Sequence, residues 1–196
     1  PTAYSLMRTA NVQSGETVLV LGAAGALASC LLQLTKEAGA IVIAGAGADA
    51  RVQAALDLGG DLGVNYRRDN LQARVQELTG GKGVNVVFDN VGDPAIFAAA
   101  VSVMQPGGRL VTVGTHGGDG ILPLDGRVLY RNRHSILSGM LGGTKPTDAT
   151  EAMTKIRDGV FRVLIDRILP LEEAVQAHRL VEDNVVTGKV ILTPNA

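Results

Sequence analysis

The chain has 196 residues, 46% of them hydrophobic and 19% charged, with 25 glycines, one cysteine and a formal net charge of −1. That length can bury a full α/β core as one domain, and the near-neutral charge gives no bulk attraction to nucleic acid or an acidic membrane. A single cysteine rules out an intrachain disulfide and a cysteine-based zinc site, and no apolar run reaches the roughly 18 residues of a membrane-spanning helix.

The opening Pro1-Thr2-Ala3-Tyr4 lacks the charged-then-apolar pattern of a signal peptide and reads as a chain cut from something longer. Thr17–Leu21 is a nearly all-apolar strand, as expected when both sheet faces are covered. Gly25 to Ala38 follows as a helix stopped by Gly39, with Cys30 expected as a small buried core residue. Ile41 to Ala44 is the second strand, Ala48 to Leu58 a helix closed by Gly59-Gly60, and Leu62 to Tyr66 a short third strand. Asp69 is the expected cap of the next helix, which ends at Leu78 before Gly80-Gly81.

The second half repeats the rhythm. Asn85 to Phe88 is a strand, Pro94 to Met104 a helix and Arg109 to Val113 a strand after the Pro106-Gly107-Gly108 turn. A glycine-rich loop covers Thr115 to Pro123. Ser135 to Leu141 is a strand, Thr147 to Arg157 and Leu171 to Val181 are helices, and Lys189 to Thr193 closes the chain as a strand. This alternation predicts a Rossmann-type, doubly wound α/β fold: a three-layer αβα sandwich on about six parallel strands, with its ligand where the strand order reverses.

Between the first strand and its helix lies Gly22-Ala23-Ala24-Gly25-Ala26-Leu27-Ala28-Ser29. A pyrophosphate needs a tight turn, an uncovered backbone and a helix N-terminus facing the anion. The positions that match G-x-G-x-x-G read Ala23, Gly25 and Ala28, so the turn alone leans only weakly toward a nucleotide over plain packing. The strand–turn–helix–strand context favours the nucleotide. NAD binders place an acid at the end of the second strand, on the ribose hydroxyl. Here that end reads Ala44-Gly45-Ala46-Gly47-Ala48, and the first carboxylate, Asp49, is expected to cap its own helix. Arg51 can neutralise a 2′-phosphate, and Tyr66, with Arg67 and Arg68 behind it, can cover the adenosine. Each arginine alone also reads as a solvated surface charge; together they favour NADP(H).

The sequence resembles the medium-chain dehydrogenase/reductase superfamily, in particular the cofactor domain of its quinone-oxidoreductase and zinc-type alcohol-dehydrogenase-like members. The matching stretches run in order across nearly the whole chain. They are Thr2-Ala3-Tyr4, Gly15-Glu16-Thr17-Val18-Leu19-Val20, Gly22-Ala23-Ala24-Gly25, Val64-Asn65-Tyr66-Arg67 and Leu78-Thr79-Gly80-Gly81-Lys82-Gly83-Val84. Phe88-Asp89-Asn90-Val91-Gly92, Pro106-Gly107-Gly108-Arg109-Leu110-Val111 and Gly188-Lys189-Val190-Ile191-Leu192-Thr193-Pro194 complete the series.

The resemblance implies that Ala26 and Leu27 meet the pyrophosphate, and that Gly47, Arg51 and Tyr66 surround the 2′-phosphate and adenosine. It places Val91, Val113, Gly114, Thr115, His116, Met140 and Leu141 along the nicotinamide, with Lys189 near the cofactor. Ala26-Leu27-Ala28 departs from the Gly-Val-Gly common in the family. Such proteins also carry an N-terminal GroES-like catalytic domain, which is expected to be absent here and would supply most of the substrate pocket and any zinc.

His116, His134 and His178 have no metal-ligand spacing; His134 and His178 read as structural or surface, and only His116 stands in the loop beside the expected nicotinamide. Asp89 reads as shaping its turn. No catalytic residue is named. The expected function is the NADP(H)-binding part of an oxidoreductase moving hydride between nicotinamide and a carbonyl, quinone or activated alkene. The alternatives are a non-catalytic NADPH-binding protein of the same superfamily and an S-adenosylmethionine-binding Rossmann domain; the latter also calls for an acid ending the second strand. The resemblance further implies a homodimer formed through the edge strand at 135–141, whereas burial of that strand by its own chain is the alternative.

Overall fold

A computed structural model describes residues 1–114, 117–139 and 142–194. Six strands form one parallel sheet: β1 (Thr17–Leu21), β2 (Ile41–Ala46), β3 (Leu62–Asn65), β4 (Val84–Asp89), β5 (Met104–Thr112) and β6 (Ser135–Ser138). Their spatial order is β3-β2-β1-β4-β5-β6, the order of a doubly wound dinucleotide fold, with the switch point between β1 and β4.

The central strands β1, β2 and β4 are largely apolar because alternate residues enter two different cores. Val18, Val20, Val42, Ala44, Val86 and Phe88 face one side, packed on α1 (Thr2–Ala10) and α2 (Ala28–Glu37) through Leu6, Leu31 and Leu32. Leu19, Leu21, Ile43, Val64, Val87 and Leu110 face the other, under α4 (Leu71–Leu78) and α5 (Pro94–Ser102) through Leu71, Val75, Phe97 and Val101. Each fully buried Val, Leu or Phe contributes about 1.5–3 kcal/mol over its exposed state, so both layers are held on the sheet by the same alternation.

The remaining elements are α3 (Asp49–Asp57), α6 (Gly126–Asn132), α7 (Pro146–Arg157), β7 (Ile165–Pro170), α8 (Ala174–Glu182, after a 3₁₀ turn at Leu171–Glu173) and β8 (Lys189–Thr193). The closing strand pairs with β7 in a separate two-stranded parallel sheet. It reaches the main body through Gly188, whose N–H donates to the Ala24 carbonyl at 2.8 Å.

Several boundaries differ from the sequence expectation. α4 is capped by Asn70, whose side chain accepts from Ala73 N–H, whereas Asp69 is drawn into an ion pair with Arg68. Asp49 is the first residue of α3, not its cap; Ala48 stands at the cap and no side chain bonds there. The helix from Pro94 stops at Ser102, and Met104 already pairs with Val84, so β5 begins before the Pro106-Gly107-Gly108 turn. β6 ends at Ser138 rather than at Leu141, and residues 140 and 141 lie outside the described residues. Cys30 is half-buried, its thiol directed at the Ala26 carbonyl 3.7 Å away. His134 is buried (7% exposed) and His178 exposed.

α1, α6 and β7 had no counterpart in the sequence reading. α1 buries Ala3, Ser5, Leu6 and Ala10, a face of small residues around one large apolar side chain. Its place is fixed by an ion pair: Arg8 donates to both carboxylate oxygens of Asp148 on α7, at 3.0 and 2.7 Å.

Candidate functional site

A cleft of about 1090 Å³ runs across the C-terminal ends of β1, β2, β3 and β4, where a doubly wound sheet binds its ligand. Gly22 and Gly25 form its floor. Gly22 has φ +67°, which a residue with a Cβ adopts at a cost, and this conformation turns the chain out of β1 toward α2. The Gly25 N–H then closes the turn on the Gly22 carbonyl at 2.7 Å. The G-x-G-x-x-G match puts Ala23 at the turn position; the left-handed residue is Gly22, one place earlier. Ala28 is 1% exposed where α2 meets the sheet, as a small residue there allows. α2 opens at Ala28 with Leu27 at its cap and no side-chain cap bond; the Ser29 and Cys30 amides already donate to the Gly25 and Leu27 carbonyls, so an anion would meet the amides just before them. Ala26 and Leu27 are both half-buried at that end of the turn, and neither is among the residues lining the cleft.

One end of the cleft is formed by Ala46, Gly47, Arg51, Tyr66 and Arg67. Parallel pairing of β2 with β3 sets Ala46 beside Asn65, which places Gly47 against Tyr66 and Arg67 just beyond. A Cβ on Gly47 would stand 3.2 Å from Arg67 Nε and 3.3 Å from Tyr66 Cε2, so the bare backbone keeps this corner open. Burial pushes the Tyr66 phenol above its usual range, opposed by the nearby charges of Arg67 and Arg51. Arg51 donates from Nη2 to the Asn184 carbonyl, which ties it to the loop between α8 and β8. That loop and the end of α8 supply Val181, Glu182, Asn184 and Val186 as a further wall.

At the other end stand Asn90, Val91, Asp93, Ile96 and Gly117. The buried Asp89 shapes this turn: its Oδ1 accepts N–H bonds from Val91 and Gly92, both at 3.0 Å. Burial pushes the Asp89 carboxyl above the usual range, while those two bonds draw it down. Val113 and Gly114 follow β5 and donate to the Asp89 carbonyl at 3.0 and 3.3 Å, which sets them behind the Asn90–Val91 wall and off the cleft lining. Lys189 opens β8, its N–H on the Leu164 carbonyl at 2.9 Å, and does not line the cleft. Thr115, His116, Met140 and Leu141 lie outside the described residues.

Of the expected site residues, the structure therefore brings Gly47, Arg51, Tyr66 and Val91 into one cleft. Arg67, expected behind Tyr66, lines it too, whereas Arg68 does not, and the structure adds Gly22, Asn90 and the α8–β8 loop. The chemistry of this donor set fits a dinucleotide: open amides at the turn for a pyrophosphate, two guanidinium groups and a phenol at one end, and apolar Val91 and Ile96 at the other. Among the described residues, no group of three or more His, Cys, Asp or Glu side chains is placed to hold a metal ion.

Sheet order, switch-point cleft and glycine turn together define a Rossmann-type nucleotide-binding domain. The zinc-binding dehydrogenase family matches residues 26–158, and the chain belongs to that family, within the medium-chain dehydrogenase/reductase superfamily. It is 32% identical to quinone oxidoreductase 1 of Escherichia coli over 97% of its length and 61% of that protein. It is 31% identical to an NAD-dependent alcohol dehydrogenase of Sulfolobus acidocaldarius, covering 97% of this chain and 54% of the relative. The crystal structure of Escherichia coli quinone oxidoreductase complexed with NADPH superposes with a TM-score of 0.85 at 27% identity, covering 98% of this chain and 62% of the other. The chain thus spans about three fifths of the length of such relatives. One relative is named for NAD and another is complexed with NADPH, so family membership leaves the choice of dinucleotide to the residues of the cleft.

Proposed function

We propose that this chain is the cofactor-binding part of an NADP(H)-dependent oxidoreductase of the quinone-reductase or alcohol-dehydrogenase type. It would move hydride between nicotinamide and a carbonyl, a quinone or an activated alkene. The observation that carries NADP(H) is the set Gly47, Tyr66 and Arg67 just past the ends of β2 and β3, with Arg51 from the first turn of α3, where an NAD binder presents an acid. When bound, the dinucleotide supplies the hydride; the chain orients it and keeps water from it.

In this reading Arg51 and Arg67 hold the 2′-phosphate, Tyr66 covers the adenosine, and the backbone of Gly47 leaves room for both. Ala26 and Leu27, just before α2, meet the pyrophosphate through their amides. Val91, with Val113, Gly114, Thr115, His116, Met140, Leu141 and Lys189, belongs to the nicotinamide side. The substrate pocket, and zinc if any, belong to a GroES-like domain upstream of this segment, so this chain alone should bind cofactor and turn over little substrate. A cytoplasmic homodimer joined through β6 completes the reading, β6 being an edge of the main sheet. A monomer in sedimentation at micromolar concentration would remove the dimer from it.

The test is fluorescence titration with NADPH and NADH. One lost charge-assisted phosphate contact costs about 1.5–3 kcal/mol, roughly 10- to 100-fold in Kd. NADPH should bind at least tenfold tighter than NADH, and Arg51→Glu should reverse the order. Tighter binding of NADH by the unaltered chain overturns the proposal.

A further inference from the structure

The carboxylate that opens α3 has the wrong sign for a phosphate. Asp49 lies two residues after Gly47 and two before Arg51, and both of those residues line the cleft. At the first turn of a helix a negative charge is favourably placed by the backbone dipole. Yet Asp49 does not stand alone. Both its oxygens accept from Arg68 Nη1 at 2.7 Å, and Oδ1 also accepts from Asn65 Nδ2 at 2.9 Å. Arg68 donates onward to Asp69 from Nε at 2.9 Å and Nη2 at 3.2 Å. Asn65 Oδ1 in turn accepts the N–H groups of Arg67 and Arg68, so one buried amide fixes both Asp49 and the turn that carries Arg67 into the cleft wall. The two neighbouring arginines are thereby divided: Arg67 lines the cleft, and Arg68 does not.

We infer that Arg68 sets cofactor specificity through Asp49. By pairing with that carboxylate it removes a charge that would repel the 2′-phosphate of NADP(H), without touching the cofactor. The inference rests on the NADP(H) reading of the cleft. NADH lacks that phosphate, so its affinity should be nearly indifferent to the pair. The side chains of Arg68 and Asp49 are 62% and 66% exposed, and an ion pair that open contributes little to folding. Replacing Arg68 therefore leaves a folded protein in which Asp49 is uncompensated. Like charges inside a Debye length of about 10 Å are only partly screened, which corresponds here to about a three- to tenfold change in Kd.

The experiment is fluorescence titration of the full chain with NADPH and NADH at about 20 mM and about 300 mM salt, for wild type, Arg68→Ala, and Arg68→Ala with Asp49→Asn. Arg68→Ala should raise the NADPH Kd about fivefold at low salt, less at high salt, and leave NADH within about twofold. Adding Asp49→Asn should return NADPH binding to the wild-type value, a rescue that a purely structural role of Arg68 would not give. Equal weakening of both cofactors, no weakening, or failure of the rescue overturns the inference while wild type still prefers NADPH. A wild-type chain that prefers NADH, or binds neither, overturns the NADP(H) reading and this inference together.

Discussion

Gly114 offers a direct test of how the cleft wall is built. Its backbone does not need a left-handed conformation, so any objection to a side chain there is spatial. A Cβ at this position would lie 2.4 Å from the Asn90 carbonyl carbon, 2.6 Å from its oxygen and 2.6 Å from Val91 N. Ordinary contact begins near 3.4 Å, and the atoms in the way are backbone, so β5 and the Asn90–Val91 turn must part by about 1 Å. Overpacking of this kind costs about 3 kcal/mol, at the upper end of its usual range because no side chain can swing aside. For a chain of this length that lowers Tm by about 6–12 °C, read by calorimetry or a circular-dichroism melt. Because Asn90 and Val91 line the cleft, dinucleotide affinity should fall as well. Gly126→Ala is the matched control: it opens α6, nothing lies within 4 Å of its Cβ, and its φ is not positive. That change should stabilise by about 0.4–1 kcal/mol. A Gly114→Ala protein melting within about 2 °C of wild type, or no difference between the two variants, refutes the packing argument.

The other predictions concern the two carboxylates that hold the scaffold. Burial raises the Asp89 carboxyl, so the folded chain binds more protons than the unfolded one from about pH 3.9 up to the folded pKa, and stability falls as pH rises through that window. Asp89→Asn should abolish this slope in urea melts across pH, whereas Asp89→Ala should be about 2 kcal/mol less stable than Asp89→Asn, its turn amides having lost their acceptor. For Asp148 the sign is opposite. Its bond from Arg8, with the Lys145 N–H, lowers its pKa to about 2, so its contribution is complete above the unfolded value of about 3.9 and is lost as pH falls through about 2. Arg8→Gln should flatten the acid limb of the stability curve in that interval, and an unchanged limb would refute the assignment.

Much of the fold was legible because parallel, doubly covered strands announce themselves as apolar runs between glycine turns. Thr17–Leu21 and Lys189–Thr193 stand where the sequence sets them. The convergence of Gly47, Arg51, Tyr66 and Val91 was legible too, since each follows a strand of one sheet and all strands end on the same edge. What escaped was long-range or local competition. Val181, Glu182 and Asn184 reach the cleft only because the α8–β8 loop folds back to Arg51, and nothing in their own sequence points there. Asp49 looked like a cap because acids favour that position; Arg68 and Asn65 took its carboxylate instead. α1 starts behind Pro1 with no side-chain cap and no acid in its first turn, so the usual start signals of a helix are missing there.

The central claim is that the cleft over β1–β4 holds NADP(H). Hydrogen exchange of the chain with and without saturating NADPH tests it most directly. Protection should concentrate in 22–29, 45–51, 66–68 and 90–92, and should be weaker with NADH at 45–51 and 66–68. Protection confined to other segments, or the same pattern and strength with both dinucleotides, would contradict it.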